Sequence, residues 1–266
     1  MDVSVIIPTY RPGPYLKECL ASLARQTLSA HRFEVIIVLN GCDEPYRAMV
    51  AEYAGEMPRA CTVRLLHTLQ AGVSNARNMG MDMAAGDYLC FIDDDDWVSP
   101  TFLERLLAMA GEGVVAVSNV LCVDERSGQV GSDYLSVAYQ QLCSAGDVSV
   151  LRARRMLSTV WCKLMPREMV AGRTFDKQCA LGEDALFMAS LTDRIRALRC
   201  TQADAIYYRR LSAGSASRRH RSLREKAANC CMLYARYVKV YLSNPCGYST
   251  PFFINRLAAV SKWWFR

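Results

Sequence analysis

Two short runs constrain this chain more than any other feature in it. Residues 3–8 (VSVIIP) and 33–39 (FEVIIVL) are apolar at almost every position and rich in β-branched side chains. Each reads as a buried strand. Between them YRPGP (10–14) breaks the first run, and Leu16, Leu20 and Leu23 recur at helical spacing. Asn40-Gly41 ends the second run. Residues 62–67 alternate as a third strand would, 72–85 suit a helix, and 87–92 form the next apolar run. Ser99 is placed to cap the following helix, with Pro100 at its first position, where a missing N–H costs nothing. Strands alternating with helices through residue 110 predict an α/β fold with a mainly parallel, doubly wound sheet.

The second half is less regular. Residues 114–123 suit a strand and 182–192 a helix, while 133–157 fit neither pattern cleanly. SAGSASRRHRS (212–222) reads as a linker. Ser222 and Glu225 then form a capping box. Leu223, Ala227, Cys230, Tyr234, Tyr237 and Tyr241 lie along one face of the helix it starts, and Thr250-Pro251 opens another. The division that follows is a domain over 1–217 and a basic helical extension over 218–266.

Composition bounds the chemistry. The chain has 266 residues and twelve cysteines, no two of them in a C-x-x-C pair, and three histidines. That argues against a zinc site. The N-terminus MDVSVII lacks the basic and apolar regions of a secretory signal, which points to a cytoplasmic protein with reduced, buried cysteines. No apolar run reaches the roughly 18–20 residues needed to span a bilayer. The net charge of +6 is uneven: residues 216–266 carry +9 and residues 1–215 carry −3. A basic tail suits a phosphate-rich partner, such as a membrane surface, a lipid-linked diphosphate or nucleic acid.

The stretch from 71 to 100, AGVSNARNMGMDMAAGDYLCFIDDDDWVSP, carries the chemistry. A small-residue helix containing Arg77 runs into an apolar strand that ends in four aspartates. Ligands of open α/β sheets bind beyond the carboxyl ends of the strands. Thr9-Tyr10, Asn40-Gly41 and the aspartates 93–96 all stand at such ends. Adjacent carboxylates repel one another unless a cation neutralises some of them. An oxygen-only ligand set suits Mg²⁺ or Mn²⁺ shared with a diphosphate, and Arg77 offers a planar fork of donors for phosphate. The competing reading is a solvated acidic turn, against which YLCFI before the run and Trp97 after it both argue.

These motifs resemble the family 2 glycosyltransferases, inverting enzymes with a GT-A nucleotide-sugar fold. SVIIPTYRPGPYLKECLASLARQT is similar to their opening strand, turn and helix. G-x-x-x-A-R-N-x-G (72 to 80) resembles their phosphate-side helix, and FIDDDDW their metal motif. WCKLMPREMVAGRTFDKQCALGEDALF resembles their acceptor-side segment, and YYRRLSAGSAS (207–217) a further family stretch. The resemblance runs collinearly from about 3 to 217. It implies that Thr9 and Tyr10 flank the nucleoside and that Arg77 contacts the nucleotide. It implies that Asp93 and Asp94 sit near ribose and metal, with Asp95 the principal metal ligand. Asp184 would be the general base that deprotonates an acceptor hydroxyl, while Trp161, Lys163 and Glu183 shape the acceptor side. Taken alone, Glu183-Asp184 could instead be the acidic start of a helix.

Many members of that family carry a base-contacting aspartate where this chain has Leu39. Asn40, Asp43 or backbone would then replace it. The polymerase signature Q-x-x-R-W is absent, which favours transfer of a single sugar. The partners implied are a nucleotide-diphosphate sugar and a glycan or lipid-linked acceptor in bacterial surface-polysaccharide synthesis, and not nucleic acid. A nucleotide-sugar-binding scaffold without turnover is the alternative, against which the retained Asp95, Glu183 and Asp184 argue. Cys42 and Cys162 lie near the expected site without a histidine partner, so they do not read as nucleophiles. Arg209, Arg210, Arg218, Arg219, Arg221, Arg224 and Lys226, with Trp263, Trp264 and Phe265, suit peripheral contact with the inner face of the plasma membrane. The apolar stripe of the tail helix is equally suited to packing on its own domain or on a second copy.

Overall fold

The computed structural model describes residues 1–144, 149–212 and 222–263. The first half forms β1 (Val3–Thr9), α1 (Pro14–Ala24), β2 (Phe33–Asn40), α2 (Tyr46–Gly55), β3 (Thr62–Thr68), α3 (Val73–Met83) and β4 (Tyr88–Phe91). β1 and β2 are buried at every position, as expected of strands covered on both faces. β5 (Trp97–Val98), α4 (Phe102–Ala108), β6 (Val114–Val117), β7 (Asn119–Asp124), β8 (Val130–Gly131) and α5 (Tyr134–Cys143) follow. Then come β9 (Lys163–Pro166), α6 (Arg167–Val170), α7 (Glu183–Ser190), β10 (Ala197–Cys200), β11 (Ile206–Leu211), α8 (Leu223–Ser243) and α9 (Thr250–Trp263).

A seven-stranded sheet runs in the order β10-β6-β9-β4-β1-β2-β3. It is parallel as expected, except that β9 runs antiparallel to both β4 and β6. The reversal has a functional consequence. It brings the start of β9, at Lys163, to the same sheet edge as the ends of β1, β2 and β4. A second sheet, β5-β11-β7-β8, was not legible in the sequence.

Three local readings change. The run 114–123 is two strands in different sheets. Ser118 donates its N–H to the Cys162 carbonyl at 3.0 Å, and Asn119 donates to the Ala205 carbonyl at 3.1 Å. The switch falls on Ser118 and Asn119, the two polar residues that interrupt the apolar run. Ser99 is not a helix cap. Its Oγ donates to the Asp204 carbonyl at 2.8 Å and accepts from the Ile206 N–H at 2.9 Å. The free N–H of Leu103 is satisfied across the chain by Gln26 Oε1 at 2.9 Å. Within 133–157, Asp133 caps α5 through a capping box with Ser136, and a 3₁₀ segment covers Arg152–Ser158.

The capping box of Ser222 and Glu225 forms, and α8 follows it. Its packing face is Cys230, Leu233 and Tyr237, whereas Leu223 is 70% exposed. α8 meets the body only from its second turn onward, so the expected stripe begins too early. Tyr248 Oη donates to the Ser190 carbonyl at 3.0 Å, and Arg256 Nη1 donates to that of Arg154 at 2.9 Å. Phe252, Phe253 and Val260 belong to the same hydrophobic cluster as β1 and β2. The helices of the extension therefore share the core of the body. The boundary at 217/218 lies outside the described residues, as do Arg218, Arg219, His220, Arg221, Trp264 and Phe265 and the side chain of Trp263. Seven cysteines are buried as expected, but Cys143, Cys231 and Cys246 are exposed. Among the described residues no helix is long and apolar enough to cross a membrane.

Candidate active site

The ends of β1, β2 and β4 open into a cavity of about 610 Å³. Pro8, Tyr10, Asn40, Arg77 and residues 93–96 line it from the first half of the chain. Thr159, Trp161, Glu183, Asp184, Arg209 and Arg210 line it from the second. The strand ends and the Glu-Asp pair are thus brought together, as the motifs required.

Arg77 organises this convergence. It sits on α3, which starts after Gly72, a residue with φ of +134° that a side chain would strain. The guanidinium is 3% exposed. Nη1 donates to Asp184 Oδ1 at 2.5 Å, Nη2 donates to Asp93 Oδ1 at 3.0 Å, and Glu183 Oε1 lies 3.5 Å from Nη1. The ring of Phe175 lies against its carbon at 5.4 Å. Asn78, one residue along α3, fixes Phe175 by bonds to its carbonyl and its N–H at 2.9 and 2.8 Å. Burial works against the charge of Arg77, but Asp184, Asp93 and Glu183 outweigh it and hold the pKa above its ordinary value. Arg77 was expected at the nucleotide. Its observed contacts make it a bridge between carboxylates on opposite walls of the cavity.

The other carboxylates follow from their surroundings. Gly182, at φ +82°, turns the chain sharply into α7. Glu183 and Asp184 fall in the first turn, where the helix dipole favours negative charge. Burial, then Asp184, still pushes Glu183 up to about 7. Burial also raises Asp184, partly offset by Arg77. Thr9 is buried and donates its hydroxyl to Asp94 Oδ2. Burial pushes Asp94 up to about 7, with the Thr9 bond opposing and Asp95 and Asp93 adding. Burial and Asp93 raise Asp95 as well.

Asp96 is structural. It accepts from Tyr207 Oη at 2.7 Å and from the Arg210 N–H at 2.8 Å, and Tyr207 Oη accepts the Asp93 N–H at 3.1 Å. Asn40 is also occupied internally, donating to the Thr9 carbonyl at 2.7 Å and accepting from the Gly72 N–H at 2.9 Å. It ties the end of β1 to the start of α3. Leu39 is fully buried and does not line the cavity. Tyr10 is half exposed at the cavity rim.

On the far wall, Trp161 stacks on Tyr207 with centroids 4.8 Å apart. Lys163 does not reach the cavity. It is fully buried and donates to Thr159 Oγ1 and the Trp161 carbonyl, each at 3.0 Å. Burial lowers its pKa. It braces Thr159 and Trp161, two residues of the cavity wall, from behind.

Sequence reasoning missed Tyr207 and placed Arg209 and Arg210 in a membrane-facing basic cluster. Both arginines belong to β11 and face the cavity. Arg210 bonds the Asp95 carbonyl at 2.9 Å, pairs with Glu18 and lies over Trp97 at 4.7 Å. Arg209 lies over Trp161 at 5.9 Å and 3.6 Å from Asp133. The signal was present in YYRR, but its partner strands were not.

The donor set fits a divalent cation: oxygen-only carboxylates, crowded together at one turn, with Asp94 and Asp95 held above their ordinary pKa. Among the described residues no three His, Cys, Asp or Glu side chains close into a ready-made ligand set. A cation here would share its shell with ligand oxygens and water, as Mg²⁺ commonly does.

Comparison with known proteins gives the fold and the family. The Escherichia coli protein described as uncharacterized glycosyltransferase YibD is 34% identical over 63% of this chain, which spans 49% of that relative. Staphylococcus aureus TarS, described as a poly(ribitol-phosphate) β-N-acetylglucosaminyltransferase, is 25% identical over 78% of this chain, which spans 35% of it. The chain thus spans about half or less of these relatives. The crystal structure of TarS 1–349 with UDP-GlcNAc matches with a TM-score of 0.72 at 21% identity, over 90% of this chain and 67% of that one. The mannosyltransferase PcManGT of Pyrobaculum calidifontis, in complex with GDP-Man and Mn²⁺, matches with a TM-score of 0.64 at 15% identity, over 98% and 69%. The fold is therefore that of the GT-A proteins. The profile described as "Glycosyl transferase family 2" matches residues 4–152, more than half of the chain, and the chain belongs to that family.

Proposed function

We propose that this protein moves one sugar from a nucleotide-diphosphate sugar to a hydroxyl of a glycan or lipid-linked acceptor, with inversion, in the assembly of a bacterial surface polysaccharide. The observation that carries this reading is the Arg77 bridge, which sets Asp93 and Asp184 on opposite walls of one cavity.

A sugar hydroxyl attacks an anomeric carbon poorly until a carboxylate takes its proton. Asp184, raised above its ordinary pKa and fixed by Arg77, is suited to that task. Glu183 beside it and Trp161 opposite bound the space for the acceptor. Asp93 and Asp95 would hold a divalent cation together with the donor diphosphate. When bound, that cation would stabilise the charge gained by the leaving diphosphate. Thr9 steadies Asp94, and Tyr207 with Arg210 steadies the turn that carries all four aspartates. A base on one face of the sugar and a leaving group on the other produce inversion in a single displacement. Tyr10 offers a ring to the nucleobase. The TarS complex with UDP-GlcNAc and the PcManGT complex with GDP-Man and Mn²⁺ support the donor class and the metal.

Calorimetric titration with UDP, GDP, CDP and dTDP, with and without Mn²⁺, tests the donor site. Metal-dependent binding of one nucleotide is expected, and no binding of any would overturn the reading. For the base, Asp184→Asn should keep nucleotide affinity and lose at least about a hundredfold in transfer rate. Full activity in that variant would remove Asp184 from the role, and nucleotide binding without any transfer in the parent would favour a scaffold.

A further inference from the structure

α8 rests on the body along one face, through Cys230, Leu233 and Tyr237. Arg236, on its flank, is held 2.7 Å from Asp176. The opposite face is exposed. Ala228, Cys231, Ala235, Val238 and Leu242 follow one another at spacings of three and four, a single stripe on a helix. Val238 is 44% and Leu242 63% exposed, and Ile254 on α9 is 62% exposed. Arg224 and Lys239 border the stripe and are also exposed.

A stripe of this spacing suits a second copy of the helix or a lipid surface, and charge decides between them. The exposed cations of α8 are Arg224 and Lys239, and the single acid of the helix, Glu225, is engaged in the capping box with Ser222. A second copy of the helix meeting this face would bring the same two cations and no acid beyond the capped Glu225 to answer them. Like charges facing each other oppose association. An anionic bilayer answers both features: headgroups meet the cations, and the apolar side chains enter the acyl boundary.

We propose that the exposed face of α8 is a docking surface for an anionic lipid bilayer. The apolar stripe is built of small side chains, so contact relies on charge and is reversible and weakened by salt. This inference does not depend on which sugar is transferred, or on whether any is.

The test is co-sedimentation of the full chain with vesicles of phosphatidylcholine alone or mixed with phosphatidylglycerol. Binding to the anionic vesicles only, lost at high salt, is expected. The double variant Val238→Glu/Leu242→Glu and, separately, Arg224→Glu/Lys239→Glu should each lower partitioning at least about tenfold, with unchanged thermal unfolding. The proposal is overturned by absent binding to anionic vesicles, by equal binding to neutral ones, or by undiminished binding in both variants. A dimer in light scattering that both variants dissolve would overturn it in favour of a second copy.

Discussion

Arg77 holds three carboxylates with one guanidinium, so its removal is felt in two ways. Arg77→Met leaves the part-buried Asp93, Glu183 and Asp184 without their cation. Breaking such a group from one side costs on the order of 3–5 kcal/mol, so a large fall in melting temperature is expected. Nucleotide binding and transfer should fall with it, because the two walls lose their common tether. Glu183 makes a separate prediction. Its carboxyl is held near 7 in the folded protein, against an ordinary value of 4.5. The folded state therefore binds the proton more tightly than the unfolded chain. Its contribution to stability is full below about 4.5 and is lost as pH rises through about 7. In metal-free buffer, Glu183→Gln should be more stable than the parent at pH 8 by on the order of 1–3 kcal/mol and melt higher, with the difference gone at pH 4.5. Equal melting temperatures at pH 8 would refute the raised value. Which residues could serve was legible in the chain, since Arg77, the aspartates and the Glu-Asp pair were all singled out. That Arg77 also joins carboxylates on opposite walls was not, because a donor fork suits phosphate and carboxylate equally.

Among the elements, α3 is the one whose placement matters most. Its N-terminus is tied to β1 through Asn40, its second turn carries Arg77, and Asn78 holds the Phe175 loop. The helix reaches the sheet at Gly80, where a Cβ would lie 2.4 Å from Ile6 Cγ2. Gly80→Ala must push α3 off β1 and should cost on the order of 1–3 kcal/mol. The variant should also lower nucleotide affinity, measurable by the same calorimetry, since Arg77 moves with the helix. The elements of the first half were legible because hydrophobic runs and helical spacing are local signals. β5, β8 and the split at Ser118 were not. Two-residue strands have no periodicity, and a single polar pair, Ser118-Asn119, is all that interrupts the apolar run where the chain changes sheets. The antiparallel course of β9 was equally hidden, although it is what brings Trp161 to the site.

On the scale of the whole molecule, the C-terminal helices are part of the body. A chain ending at residue 217 would lose the Tyr248, Arg236 and Arg256 contacts and the cover they give to α7 and the 174–178 loop. It should aggregate or unfold at markedly lower temperature than the full chain. A truncated protein of unchanged melting temperature would show that the extension is a mere appendage. The chemistry-bearing residues, the succession of strands and helices in the first half and the capped start of α8 were legible in the sequence alone, because each depends on neighbours a few positions away. Tertiary structure alone decided that Arg77 answers Asp184, that Tyr207 and Arg210 brace the aspartate turn, and that Asn40 is spent on the backbone. Those pairings join residues far apart in the chain, and only the close approach of strand ends at one sheet edge determines which charge meets which.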